Sequence, residues 1–295
     1  MRPRVWVTVV GANVSAKTVA VVNPKGGVGK TTTVLCLGEL LVDRSPCVTL
    51  DLDPQAHATA VLSAVADPES RAADRAGPLE KSLDTALRGD CAIGELLCNG
   101  GDRGWFVPAQ LSLAATAVEL ARSPEGLQRL RQVLAIDWTT AHRALVDPIL
   151  LLDCPPGLGF LTLSALVAAD WVLVPVQCQP LALRSLLPLM EAIASIRRQL
   201  NPSLQVLGLL PTMVERRSPV AEAVLSGLAD WAQASQGSIE LLPNVPRSCW
   251  FPKLTLDGRL LRDHLSRSRR AAVFGGYVTA VDRLLSAREA GAIKS

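Results

Sequence analysis

Short aliphatic runs recur along the chain at 18–22, 47–52, 105–108, 149–153, 171–176, 204–213 and 239–243. Their length and their β-branched or aliphatic content predict buried strands. Between them lie segments with apolar residues at three- and four-residue spacing: 33–42, 111–121, 126–136, 160–168, 186–200 and 277–290. That spacing predicts helices with one core-facing stripe. Leu83, Leu87, Ile93, Leu96 and Leu97 predict two short helices within 82–97, after a polar, loop-like stretch at 68–77. Strands alternating with helices predict one doubly wound α/β domain over 18–295. Its sheet is mostly parallel, its helices cover both faces, and ligand sits at the carboxyl ends of the strands. Residues 1–17 are expected to form an extension or an extra edge strand.

Composition narrows the field. Of 295 residues, 49% are apolar and 19% charged, enough for a sizeable core and too apolar for disorder. A net charge of +3 permits a local basic patch but does not argue for nucleic acid by itself. The seven cysteines include no C-x-x-C pair, which favours reduced thiols in a cytosolic protein over a metal site. The apolar stretch at 157–176 approaches membrane-span length, but Asp170 interrupts it and Pro175 follows. At the C-terminal end Arg283, Arg288 and Lys294 are offset by Asp282 and Glu289, and no bulky aromatic follows Tyr277. That pattern argues against a membrane-anchoring helix.

Candidate chemistry concentrates at three strand ends. Residues 23–32 (NPKGGVGKTT) lie between the first predicted strand and the first predicted helix. Glycines there let the backbone approach an anion, and the loop amides and helix dipole point at it. Lys30 is placed to reach β- and γ-phosphates, and the Thr31 hydroxyl to ligate Mg²⁺. The usual G-x-x-x-x-G-K-[ST] spacing would put glycine at Pro24; instead an extra lysine, Lys25, opens the loop. The second run ends in Asp51 and Asp53, two carboxylates on one face of the sheet. Four consecutive aliphatic or apolar positions then lead into Asp153, a Walker B pattern whose carboxylate can hold a Mg²⁺-bound water.

Together KGGVGKTT at 25–32, DLDPQ at 51–55 and DCPPG at 153–157 resemble, in order, the deviant Walker A, D-x-D-P-Q and switch II motifs of the ParA/MinD family of ATPases. The resemblance spans about 18–290 and implies an ATPase that uses ATP and Mg²⁺. It implies that Gly26, Gly27, Val28, Gly29, Lys30, Thr31 and Thr32 cradle the phosphates. Lys25 would cross a homodimer interface to the partner's nucleotide. Thr31 would ligate Mg²⁺ with support through water from Asp51 and Asp153, and Asp53 would orient the attacking water. Pro246 falls in a segment similar to the one that covers the adenine.

The same resemblance implies slow turnover stimulated by a ParB-like or other adaptor, and an ATP-bound homodimer. It implies non-specific DNA binding through Arg216, Arg217, Arg247 and the arginines at 267, 269 and 270, with a cytoplasmic, nucleoid-associated location. The cargo would be a plasmid, a chromosome or a protein assembly. A MinD-like membrane regulator and a nucleotide-switched binding module are the competing readings, with an iron–sulfur reductase component and a tyrosine kinase further off. Residues 1–17 are too few for the helix-turn-helix domain of longer relatives. Two segments depart from the pattern. QPLALRS at 179–185 replaces a glutamate and aromatics, and SCWFPKL at 248–254 replaces E-A-P-S-x-G-K.

Overall fold

The computed structural model describes residues 16–65, 81–235, 239–251 and 267–292. The strands are β1 (Lys17–Val21), β2 (Cys47–Asp51), β3 (Cys98–Asn99), β4 (Trp105–Val107), β5 (Ile149–Asp153), β6 (Trp171–Gln177) and β7 (Gln205–Thr212). They form one sheet in the order β3-β4-β2-β5-β1-β6-β7. Every pairing is parallel except the β3–β4 hairpin. The helices that cover it are α1 (Lys30–Leu41), α2 (His57–Val65), α3 (Leu83–Arg88), α4 (Ser112–Leu120), α5 (Arg129–Leu134), α6 (Trp138–Ala141), α7 (Phe160–Ala168), α8 (Ala182–Gln199), α9 (Pro219–Ala234) and α10 (Arg267–Ala292).

Alternation along the strands makes two cores. Ala20, Leu50, Leu150, Leu152, Val172 and Val174 face the layer that includes α3, α4, α5, α7 and α8. Val19, Val21, Ile149, Leu151 and Leu173 face α1 and α10, against Leu37, Phe274, Tyr277 and Val281. Burying a side chain of this kind contributes about 1.5–3 kcal/mol, and both faces of the central strands are used. This is why the runs read as continuously apolar rather than alternating.

Chain direction reverses at β1. From β1 the chain moves toward β2; from β5 it crosses to β6 on the other side. The crevice above such a reversal is where α/β sheets bind ligand. Register aligns the strand ends there: Val21 pairs with Asp153, and Asp51 pairs with Asp153.

The structure differs from the sequence reading in places. Residues 239–243 do not form a strand; Leu241 makes an isolated bridge to Leu209. Pro243 and Pro246 have no amide hydrogen to extend it. The final helix begins at Arg267, ten residues before the expected 277. Gly275 and Gly276 look like a helix stop but are internal. A Cβ on Gly276 would fall 2.4 Å from the Pro243 carbonyl, so glycine is there for close packing. The segment 126–136 splits into a 3-10 turn and α5. Helix α8, expected from 186, starts at Ala182 and carries Pro188 within it. The loop-like 68–77 and most of the 1–17 extension lie outside the described residues, with Lys17 itself joining β1. All seven cysteines are free.

Candidate active site

The loop between β1 and α1 is held open by two left-handed glycines, Gly27 at φ 75° and Gly29 at φ 91°. An L side chain at either position would be strained. Gly29 is the N-cap of α1, with no side chain capping the helix and no acidic residue in its first turn. The first-turn amides and the dipole are therefore left to an anion. The loop is braced from three elements. Asn23 Nδ2 donates to the Pro175 carbonyl in β6 (2.7 Å), and Asn23 Oδ1 accepts from the Lys25 amide (2.9 Å). The Gly157 amide, after β5, donates to the Pro24 carbonyl (2.8 Å). The Thr212 hydroxyl, at the end of β7, donates to the Val28 carbonyl (2.8 Å).

Lys30 is buried, and its Nζ donates to the Lys25 carbonyl at 3.1 Å. Burial pulls its pKa down, opposed chiefly by the charge of Asp153. Such a lysine lacks a full counter-charge and is ready for a phosphate. Lys25 behaves differently. Its side chain leaves the loop and donates to Gln179 Oε1 at 3.0 Å, on the exposed rim.

The three aspartates fall into distinct environments. Asp51 is buried, and its oxygens serve the turn after β2. Oδ2 accepts from the Thr59 amide and hydroxyl (2.8 Å each), and Oδ1 from the Asp53 amide (3.0 Å). Thr59 Oγ1 in turn accepts from the Ala109 amide (2.9 Å), tying β4 to the same point. Burial pushes the Asp51 carboxyl up, against the hydrogen bonds from Thr59. Asp53 is half-buried, its Oδ1 accepting from the Gln55 amide at 2.9 Å.

Asp153 is buried with both oxygens lacking a hydrogen-bond partner. Burial, then the neighbouring Asp51, pushes its carboxyl well above its ordinary range. The Thr31 hydroxyl is near enough to pull the other way without completing a hydrogen bond. An orphaned carboxylate beside a hydroxyl at a phosphate loop is a hard-oxygen donor set that fits Mg²⁺. Among the described residues no group of three or more His, Cys, Asp or Glu is arranged to hold a metal ion by itself. A cation here would take its remaining ligands from phosphates and water, as Mg²⁺ does.

A family model described as an AAA domain matches residues 16–206. The chromosome-partitioning ATPase Soj of Thermus thermophilus is 32% identical over 257 residues, covering 87% of this chain and 91% of that protein. The chromosome partitioning protein ParA of Caulobacter vibrioides is 35% identical over 209 residues, covering 70% and 73%. This chain belongs to the ParA/Soj family of P-loop ATPases. Among solved structures it is similar to one titled cobyrinic acid a,c-diamide synthase from Mycobacterium smegmatis, with bound ADP and magnesium. That likeness has a TM-score of 0.65 at 30% identity, covering 87% of this chain and 95% of the other. The family's ligands, ATP and Mg²⁺, fit the ParA/Soj loop described above.

The remaining residues singled out by sequence lie beyond β7. Val214 bridges Pro246, and the Arg247 amide donates to the Val214 carbonyl (2.9 Å). Arg216, Arg217 and Arg247 are thereby brought to one exposed edge. Arg247 Nη1 donates to Glu215 Oε1 at 2.6 Å, and Arg217 is left-handed at φ 58°. The side chains of Arg267, Arg269 and Arg270 lie outside those described. Asn23, Thr59, Gln179 and Thr212 are site residues that the sequence reading missed. Asn23 opens the recognised loop and Gln179 opens a segment that departs from the family pattern, which is the one signal each carries. Thr59 and Thr212 carry none, because their roles depend on contacts 50 and 184 residues away.

Proposed function

We propose that this protein is a slow ATPase whose ATP-bound form is a homodimer that binds DNA non-specifically and positions a cargo. The observation that carries the reading is Lys25: a second loop lysine whose ammonium sits on the outer rim, 3.0 Å from Gln179, and not over its own phosphate cradle. From there it is placed to serve a nucleotide held by another copy. Exposed leucines shortly after Gln179 in the chain, Leu181 (68%) and Leu187 (54%), support an apolar contact near that rim.

Chemistry in each subunit follows from position. Lys30 and the amides of 26–32 bind the β- and γ-phosphates and offset charge as the bond to the γ-phosphoryl group breaks. Thr31 and Asp153 would hold Mg²⁺, which when bound screens the phosphate charge. Asp53, half-buried at the mouth of the site, orients the attacking water, and Lys25 of the second subunit adds positive charge at the phosphates. Asp51 supports from behind, fixing the turn that carries Asp53. Because ATP would add contacts that only the dimer makes, it shifts the population toward dimer, and hydrolysis reverses it.

Arg216 and Arg217 follow shortly after Thr212, which touches the phosphate loop, and Arg247 is bonded to Val214 in the same segment, so the exposed basic edge is one step from the nucleotide. In a dimer two such edges would track duplex phosphates without reading sequence. An adaptor that stimulates hydrolysis would then release DNA locally and move the cargo. Among the described residues no helix is long and apolar enough to cross a membrane. A cytoplasmic, nucleoid-associated location follows from this reading. It is tested by light-scattering mass with ATP, ADP and no nucleotide. The wild type should double in mass with ATP alone, and Lys25→Ala should do so only at much higher protein concentration; a wild type that stays monomeric overturns the reading.

A further inference from the structure

Two of the polar groups of Lys25 are committed to its own loop. Its amide donates to Asn23 Oδ1 and its carbonyl accepts from Lys30 Nζ. The side chain is the part that can move, and it rests on Gln179. Gln179 sits in the turn between β6 and α8. That turn is closed on both sides, with the Gln179 amide donating to the Gln177 carbonyl (2.8 Å) and the Ala182 amide to the Gln179 carbonyl (3.1 Å). Leu181, the N-cap of α8, is left-handed at φ 67° and caps nothing with its side chain. A leucine in that conformation is strained. The turn thus accepts strain while presenting an amide oxygen to the lysine.

We infer that Gln179 is a positioning residue that parks Lys25 in the free subunit and releases it when a second copy presents its nucleotide. This rests on Lys25 serving the partner's ATP. The chemistry lies in the neutrality of the acceptor. A glutamine oxygen fixes the direction of the ammonium without cancelling its charge. A triphosphate adds a charge–charge attraction that the neutral amide lacks, so it takes the lysine readily. A carboxylate at the same place would form an exposed ion pair and hold it back. Both lysines must leave when a symmetric dimer forms, so the effect per subunit enters the dimer constant squared.

The test uses the full chain as wild type, Gln179→Glu and Gln179→Met, each with and without Lys25→Ala. Sedimentation measures the ATP-dependent dimer dissociation constant at about 50 and 500 mM salt, on either side of strong screening. Holding by an exposed pair is worth about two- to fivefold per lysine, so Gln179→Glu should weaken the dimer by about 4- to 25-fold. The loss should shrink at high salt and fall within about twofold in the Lys25→Ala background, as coupled residues require. Gln179→Met, which removes the acceptor without adding charge, should dimerise as well as wild type or better. A Glu variant whose loss persists at high salt, or a Met variant that loses as much, would overturn the inference. So would a loss unchanged without Lys25. Each would make 179 a packing position alone. A wild type that does not dimerise with ATP overturns instead the reading on which the inference rests.

Discussion

Asp153 is costly to the empty protein. Its carboxylate is buried and both oxygens lack a partner. A buried ion whose oxygens make no hydrogen bond carries a penalty of several kcal/mol after relaxation, of which the charge of Lys30 offsets a part. Asp153→Asn removes the charge and keeps the shape. The new amide is itself unpaired, which returns about 1–3 kcal/mol of cost. The net expectation is that the nucleotide-free variant is more stable by about 1–3 kcal/mol. For a chain of this length each kcal/mol moves Tm by about 2 °C, so the rise should be about 2–6 °C at pH 7.

The pH dependence follows from the direction of the shift. Because the folded pKa lies above the ordinary value of 3.8, the native state binds more protons than the unfolded state between the two. Wild-type stability therefore falls as pH rises from 3.8 through the raised folded value. Asp153→Asn lacks that loss. The two melting curves should converge in acid and separate toward neutral pH. With Mg²⁺ and ATP at about 1,000 times Kd the wild type gains about 4.1 kcal/mol, and the variant much less, so their order reverses. Calorimetric melts with and without Mg²⁺-ATP, from pH 4.5 to 8, provide the assay. A nucleotide-free variant less stable than wild type, or a difference independent of pH, would refute the reasoning.

Asp53→Asn should cut ATP turnover at least 10²-fold, since it loses the group that orients water. It should leave ATP-dependent dimerisation intact in a mass measurement. Thr212→Val removes the donor to the Val28 carbonyl; equilibrium ATP titration should show binding weakened severalfold, the scale of one lost hydrogen bond of about 1 kcal/mol. Gly276→Ala drives a methyl to within 2.4 Å of the Pro243 carbonyl, and urea titration should show a loss of about 1–3 kcal/mol, typical of overpacking.

Much of the fold was legible because its strands are buried on both faces and end in chemistry. β5, Ile149–Asp153, reads as a strand from four apolar residues and as a site from its last one. α7 was placed to the residue at 160–168, since its apolar run stops at a helix-breaking context before Asp170. Helix α9 was not foreseen, although Ser218 accepting from the Ala221 amide and Pro219 in the first turn are start signals. Its stripe is diluted by exposed Val220 and by Gly227, which leaves room for Leu183. The hairpin strand β3 has two residues and no pattern to read. In the site, the loop and Asp153 were legible from spacing. The division of labour between Asp51, hydrogen-bonded by Thr59, and Asp153, whose oxygens accept no hydrogen bond, was not. It depends on which carboxylate the turn uses, and that is decided by contacts distant in sequence.

Binding to a long non-specific duplex with ATP, with ADP and without nucleotide, across a salt series, tests the central claim most directly. The account predicts binding with ATP alone, falling steeply as salt rises and lost when Arg216, Arg217 and Arg247 are replaced together. Binding that ignores the nucleotide, or no binding by an ATP-bound dimer, would contradict it.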